Sequence, residues 1–120
     1  MIFHIAVRAE WEAALREGKY APPSLDAEGF IHCSAREQII GTANLFYKGR
    51  TDLILLGIDE GRLAAPLRYE APADAKDVRA TVKFPHIYGA LNLEAVTWAV
   101  AFPCSADGSF ELPTGVREID

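Results

Sequence analysis

Few features of this sequence suggest a disulfide scaffold, a membrane protein or a nucleic-acid-binding protein. Its two cysteines, Cys33 and Cys104, form neither a disulfide framework nor a spaced metal pair, so we expect buried thiols in a reducing compartment. No apolar run approaches the roughly 18 residues that cross a bilayer. The net charge is −5 and the basic residues are scattered singly, which disfavours a nucleic-acid partner because phosphate backbones bind clustered positive charge.

The first residues, "MIFHIAVRAEWEAALREG", also lack the basic segment and the small-residue cleavage site of a secretory signal. We therefore expect a cytoplasmic protein with no membrane partner. The 120 residues are half hydrophobic and about a quarter charged, and they contain no linker, repeat or low-complexity tract. This composition predicts one compact domain over residues 1–120.

The first third of the chain predicts two strands and two helices. Residues 2–7 form the first strand, and the next helix places Trp11, Ala14 and Leu15 on its buried face and ends at Gly18. Residues 19–28 contain two prolines and small polar residues, which predicts a loop. A second strand covers residues 30–34.

The second helix is predicted to begin at Ser34, which with Glu37 fits the S-x-x-E capping box. Its predicted apolar face carries Ile39, Ala43 and Phe46.

The rest of the chain is predicted to be mostly strand. Residues 52–59 are almost wholly apolar and residues 95–103 alternate, so both should be central strands with the two helices packed on their sheet. Residues 65–70 suggest an edge strand, residues 71–77 a loop and residues 81–91 a bent extended segment. This order predicts an α+β fold with a mixed or antiparallel sheet. Without a glycine-rich phosphate motif, a doubly wound nucleotide fold is disfavoured.

The stretch "GFIHCS" carries the first candidate site. Because side chains of a strand alternate, Phe30, His32 and Ser34 share one face, while Ile31 and Cys33 face the core. Ser34 is explained as a helix cap, although it can also bind. His32 is either hydrogen-bonded within the sheet or a ligand-binding residue, and its neutral imidazole can both donate and accept.

The stretch "FPHIYG" carries the second candidate site. Phe84, His86 and Tyr88 line one face if the segment is extended, and they are either ordinary packing or a wall for a planar ring. We expect Phe30, His32, Ser34, His86 and Tyr88 to converge on one concavity. Arg68 and Glu70 also share a face, as an exposed ion pair or as ligand contacts.

Two other chemistries are disfavoured. His32 lies on the face opposite Cys33, so it is poorly placed to activate that thiol as a nucleophile. His4, His32 and His86 lack close ligand spacing, so we expect no metal site.

In this order, "WEAA", "GFIHCS", "DLILLGID", "LRYE" and "FPHIYGALNL" resemble a bacterial and plant family called domain of unknown function 952. The likeness runs from Met1 to about Phe102. That family is similar to the ADP-ribosyltransferase superfamily, which implies a compact α+β domain with a bent sheet and a central cleft for NAD.

The resemblance also implies residue roles. His32 and Ser34 match the spacing of the histidine and hydroxyl that contact the nicotinamide-side ribose, and Tyr88 is the candidate for stacking on nicotinamide. No segment aligns with the glutamate motif of the transferases, and Glu70 and Glu94 are the possible substitutes.

Three hypotheses follow. The chain is an NAD-using enzyme of ADP-ribosyltransferase type, a binding module with the same pocket and no turnover, or a small hydrolase or isomerase with His32 and His86 as acid and base. In each case the partner is a small-molecule ligand.

Overall fold

The structure, a computed structural model, describes residues 1–72 and 82–118. Most of the loop predicted over residues 71–77, and the first residue of the segment predicted over 81–91, lie outside the described residues. Within the described ranges, no helix is both long and apolar enough to cross a bilayer. The fold is a compact α+β domain with antiparallel sheets.

The largest sheet has three antiparallel strands, β1 (Ile2–Val7), β4 (Leu53–Ile58) and β8 (Val96–Ala101), in the order β1-β4-β8. β4 is central, as its apolar sequence predicted. The prediction that β8 is central is wrong, because β8 pairs with β4 along one edge only. Its residues alternate between half-buried and exposed, as the sequence indicated.

The two faces of this sheet support separate cores, each closed by one helix. On one face, Trp11 and Ala14 of α1 (Arg8–Glu17) pack with Ile2, Ala6 and Leu56. The other face carries α3 (Ile39–Phe46) and a core made of Phe3, Ile5, Ile39, Ala43, Leu53, Leu55, Phe102, Phe110 and Val116. Both helices therefore pack on the sheet, as predicted, but from opposite sides.

Two residues predicted on buried helix faces are exposed. Leu15 is 57% exposed because the stripe of α1 that meets the sheet runs through Trp11 and Ala14 and leaves Leu15 at its side. Phe46 is 48% exposed because α3 ends there.

The segment predicted as a loop over residues 19–28 instead contains β2 (Lys19–Tyr20) and the short helix α2 (Pro23–Glu28). Pro23 occupies the first helical position, where the missing N–H costs nothing and the fixed φ favours a helix. Gly29 ends α2 with φ 85°, a left-handed conformation that glycine adopts without strain.

The prediction that Ser34 caps the second helix with Glu37 is wrong. Ser34 instead pairs with β1, where its backbone exchanges hydrogen bonds of 2.9 and 2.7 Å with Phe3. The chain turns into a 3₁₀ segment one residue later, and the Ala35 N–H donates to Gln38 Oε1 at 2.8 Å. The second helix therefore begins after this turn, at Ile39.

Two smaller antiparallel sheets complete the described fold. β2 pairs with β7 (Leu91–Asn92). The other sheet has the order β3-β6-β5, formed by β3 (Ile31–His32), β6 (Phe84–Ile87) and β5 (Leu67–Glu70). The C-terminal part contributes α4 (Thr114–Glu118).

Candidate functional site

Both candidate sequence stretches lie in the β3-β6-β5 sheet. His32 pairs directly with His86, and His86 pairs on its other side with Arg68. Directly paired residues of antiparallel strands project from the same face, so these three side chains form a row across the sheet. The opposite face carries Ile31 and Ile87, which pack in the first core. The alternation predicted for both stretches is confirmed.

Four aromatic rings cluster on this face. Phe30 stacks on His86 with ring centroids 4.2 Å apart and planes at 19°. Phe30 also lies 4.8 Å from His32 and 5.3 Å from Tyr88, between ring centroids. The imidazoles of His32 and His86 meet edge to face at 5.5 Å. Phe30 thus holds one face of His86 and leaves the ring edges for polar contacts.

Each of these two imidazoles contacts a different carboxylate. His32 Nε2 donates to Glu28 Oε1 at 2.8 Å, and both side chains are about two-fifths exposed. His86 Nδ1 donates to Glu70 Oε1 at 2.9 Å, but the side chain of His86 is only 3% exposed. The two histidines therefore differ in burial, whereas their carboxylates are similarly exposed, Glu70 at 36% and Glu28 at 40%.

Glu70 also links His86 to Tyr88. The Tyr88 hydroxyl donates to the same Oε1 at 2.5 Å, and the Arg68 guanidinium lies 4.9 Å from the centre of the Tyr88 ring. The hydrogen bonds from Tyr88 and His86 lower the pKa of Glu70, and the bond to Glu70 raises the pKa of Tyr88. Arg68 and Glu70 were predicted to form an ion pair or to contact a ligand. In the structure both side chains contact Tyr88.

A third histidine, His4 of β1, contacts the backbone of β3. His4 Nδ1 donates to the backbone carbonyl of His32, and because a carbonyl can only accept, Nε2 of the neutral ring accepts from Tyr20 Oη at 2.8 Å. Burial lowers the pKa of His4 to about 4, so the ring is neutral at physiological pH. Burial also raises the pKa of Tyr20, which stays a donor.

A cavity of about 380 Å³ opens beside His32 and His86. This volume lies in the range of small-molecule sites. Its walls combine imidazoles, hydroxyls, one carboxylate and apolar side chains, from His4, Ile5, Ser24, Glu28, His32, Cys33, Ser34, Thr42, Phe46, Tyr47, Pro72, Phe84 and His86.

The predicted convergence on one concavity is correct for three of five residues. His32, Ser34 and His86 line the cavity, but Phe30 and Tyr88 do not. The reason is their position along the strands: the cavity extends toward Ser34 and Phe84, whereas Phe30 and Tyr88 lie at the other end of the face. They pack against the imidazoles instead.

Neither cysteine has the features of a nucleophile. Cys33 is buried in the first core and also borders the cavity, and burial raises the pKa of its thiol. Cys104, predicted to be buried, is only half-buried. In the described part of the chain, no group of three or more histidine, cysteine or acidic side chains is placed to hold a metal ion.

Sequence reasoning missed the contribution of several residues. The contact of Glu28 with His32 spans a helix end and a strand, and the supporting role of His4 depends on a tertiary contact. Glu70, a possible substitute for the glutamate of the transferases, does not line the cavity. Glu94 is exposed in a 3₁₀ turn and is not a lining residue either.

The sequence matches a family model described as a protein of unknown function, DUF952, over residues 5–99. The chain belongs to the DUF952 family. This confirms the resemblance drawn from its motifs. No curated protein matches the sequence.

The chain is also similar to solved structures of one bacterial protein. The crystal structure of protein CC0527 from Caulobacter crescentus is 35% identical, with a TM-score of 0.79, and the match covers 92% of this chain and 93% of that one. The solution NMR structure of CC0527 is 36% identical, with a TM-score of 0.76, covering 92% and 91% respectively. The similarity to ADP-ribosyltransferases stays a prediction.

Proposed function

We propose that the cavity binds a small uncharged molecule and that His32 and His86 exchange protons with it, as the acid and base of a hydrolase or isomerase. The observation that carries this proposal is the pairing of the two imidazoles. They come from directly opposed positions of β3 and β6, both line the cavity, and their ring centroids are 5.5 Å apart.

The carboxylates support proton transfer at both rings. Glu28 and Glu70 each accept from one nitrogen of their histidine, which leaves His32 Nδ1 and His86 Nε2 for a ligand. A carboxylate on the far nitrogen also stabilises the imidazolium that forms when the ring takes up a proton. General acid–base catalysis needs both properties.

In a hydrolysis, one imidazole removes a proton from water while the water oxygen bonds to the electrophilic carbon of the substrate. The bond to the leaving group breaks, and the second imidazole, already protonated, gives its proton to that group. Each turnover leaves the two histidines with exchanged protonation states. They return to the starting state by proton exchange with solvent, to which His32 is 41% exposed.

The cavity wall favours an uncharged ligand. Ser24, Ser34, Thr42 and Tyr47 contribute hydroxyl-bearing side chains to the wall, and Glu28 is the only carboxylate among the described lining residues. An anionic ligand would meet that carboxylate without a lysine or arginine from those residues to balance it. Phe46, Phe84 and Ile5 provide room for an apolar portion.

A second candidate is the NAD pocket of an ADP-ribosyltransferase-like enzyme, which one observation favours. His32 and Ser34, whose spacing matches the ribose-contacting pair, both line the cavity. In this candidate Tyr88 cannot stack on nicotinamide without rearrangement, because its ring lies between Arg68 and Phe30 outside the cavity. A cytoplasmic location and the absence of nucleic-acid and membrane partners stay predictions.

The decisive experiment compares wild type with His32→Ala and His86→Ala. Hydrolysis of an uncharged alkyl ester, ethyl acetate, whose alkoxide leaving group needs a proton, tests the acid–base site, and nicotinamide release from NAD tests the transferase. If the histidines act as acid and base, each substitution should lower ester turnover about 10²–10⁴-fold. Equal rates in all three proteins would contradict the proposal.

Binding without turnover is a separate outcome. A thermal-shift screen of uncharged small molecules and NAD detects it, because a ligand that binds only the folded state raises the melting temperature. His32→Ala should weaken binding by about 1–3 kcal/mol, the cost of an unsatisfied polar partner. Its effect on stability should be small because His32 is partly exposed. If wild type binds a ligand and does not convert it, the protein is a binding module.

A further inference from the structure

We propose that Glu70 is the positioning residue of His86: it fixes the ring in the Nδ1–H tautomer and so presents Nε2 as a proton acceptor to the cavity. This inference rests on the proposed acid–base function and goes beyond it, since it assigns the accepting role to one of the two histidines. Glu70 itself does not line the cavity.

The hydrogen bonds determine the tautomer. The ordinary pKa of a glutamate is already well below 7, and the Tyr88 and His86 hydrogen bonds lower that of Glu70 further, so its carboxylate is ionised and can only accept. His86 Nδ1, 2.9 Å from Oε1, must therefore carry the hydrogen. In the neutral ring, Nε2 then carries the lone pair.

His86 Nε2 has no hydrogen-bond partner among the described residues. Trp98 Nε1 is the one polar side-chain atom among the described residues that is both fully buried and without a hydrogen bond. Nε2 of His86 has no hydrogen bond either, so it is not fully buried. His86 is 3% exposed and lines the cavity. Nε2 therefore meets open space at the cavity wall.

Packing holds the ring in this orientation. Phe30 stacks on one face at 4.2 Å, and Glu70 restrains the Nδ1 edge. Among the described residues, the titratable and charged groups that contact His86 or pair with it are Glu70 and Arg68 from β5, Tyr88 beyond the end of β6, and His32 from β3. Of these, Glu70 is the carboxylate, so it receives the Nδ1 hydrogen and can also balance an imidazolium.

The contrast with His32 supports the assignment. His32 has its own carboxylate, Glu28, but the ring of His32 is 41% exposed, whereas that of His86 is 3% exposed. Water can replace Glu28 as the hydrogen-bond partner of His32. It cannot readily replace Glu70, because His86 is buried. The fixed ring is therefore the acceptor, and the solvent-facing ring is the donor that recovers its proton from bulk water.

The test is ¹⁵N NMR of histidine-labelled protein at pH 8, which reports the tautomer of each neutral ring without any substrate. In wild type we expect His86 to carry its hydrogen wholly on Nδ1. Glu70→Ala should give a mixture of both tautomers at His86. Tyr88→Phe is the matched control: it removes the other hydrogen bond to Glu70 and should leave the His86 tautomer unchanged.

Two results would overturn the inference. One is a wild-type His86 with its hydrogen on Nε2, and the other is an unchanged Nδ1–H signal in Glu70→Ala. If Glu70→Ala fails to fold, Glu70→Gln, which can present an amide N–H to Nδ1, provides the same comparison, and the wild-type spectrum alone still tests the assignment. These signals are independent of turnover, so an inactive protein with the expected tautomers would refute the proposed function and leave the positioning by Glu70 standing.

Discussion

The ring of Phe30 lies nearly parallel to the imidazole of His86, 4.2 Å away between centroids, and so forms one wall around a histidine that has almost no contact with bulk solvent. Phe30 was predicted to touch a ligand. Its position outside the cavity instead gives it the role of holding His86. Replacing Phe30 by leucine, which keeps an apolar side chain and removes the aromatic ring, tests this relationship.

Phe30→Leu should lower the free energy of unfolding by about 1 kcal/mol, because it removes aromatic contacts with His86, His32 and Tyr88. Urea denaturation followed by circular dichroism measures the change. Phe46→Leu is the control: Phe46 is exposed, so the same substitution there should stay within about 0.5 kcal/mol of wild type. Equal losses in the two variants would contradict a special role for the Phe30 ring.

His4 should make the protein less stable in mild acid. Burial lowers its folded-state pKa to about 4, whereas the unfolded chain takes up a proton near 6.5. The unfolded state therefore binds more protons between these values. The contribution of neutral His4 is complete above pH 6.5 and falls as the pH drops toward 4, by about 3 kcal/mol in all.

Urea titrations from pH 7.5 to 4.5 measure this dependence. His4→Gln is the comparison, because glutamine does not titrate: its stability should start lower and change less over this pH range. A wild-type curve parallel to that of His4→Gln would show that His4 does not cause the loss.

Tyr88→Phe should raise the pKa of Glu70 toward its ordinary value of 4.5, because the hydrogen bond from the Tyr88 hydroxyl is the main cause of the lowered pKa. The carboxyl ¹³C signal of Glu70, followed by NMR through an acid titration, measures the shift. Asp52 in the same spectra is an internal control, because its pKa is lowered by the hydrogen bond from Arg50 and should be the same in both proteins. No shift at Glu70 would mean that the hydrogen bond is not formed in solution.

Gly57→Ala should destabilise the central sheet by about 1–3 kcal/mol. Gly57 of β4 pairs with Trp98 of β8, and an added Cβ would lie 2.3 Å from the indole ring. Urea denaturation measures the loss. Trp98→Leu supplies the partner for a double-mutant cycle, since the smaller side chain should relieve the clash. Strictly additive effects of the two substitutions would indicate that the added methyl group is accommodated elsewhere.

Much of the fold was predictable because its signals are local. The apolar run of β4 and the alternation of β8 are encoded in consecutive residues, and Trp11 with Ala14 marks the buried stripe of α1. The position of β8 at a sheet edge depends on which strands pair. No periodicity within a single strand contains that information.

Errors at helix starts had local causes. In "APPSLDAEG" the prolines suggested a loop, although proline at the first helical position followed by a terminal glycine is typical of a short helix. The capping signal of Ser34 and Glu37 was displaced by one residue, because the backbone of Ser34 pairs with Phe3 and leaves Ala35 and Gln38 to begin the turn.

The candidate site was predictable in its shared face but not in its partners. Alternation correctly put Phe30, His32, His86 and Tyr88 on one side of a sheet. The contacts of Glu28 and Glu70 with the two imidazoles depend on tertiary packing. So does the boundary of the cavity, which includes Ser34 and excludes Tyr88.

The bridge between Phe3 and Ser34 ties β3 to the edge of the largest sheet, while β6 holds its opposite side and His4 donates to the His32 carbonyl. β3 has only two residues, yet the short segment from β3 to Ser34 is bonded on one flank to β6 and, at Ser34, to β1 on the other, and both of these strands contribute to the cores. A segment held in this way cannot open by itself, because its release disrupts the pairing of β1. We therefore expect the amide hydrogens of Phe3 and Ser34 to exchange with solvent only when the whole domain unfolds, which makes the histidine pair part of the same cooperative unit as the cores.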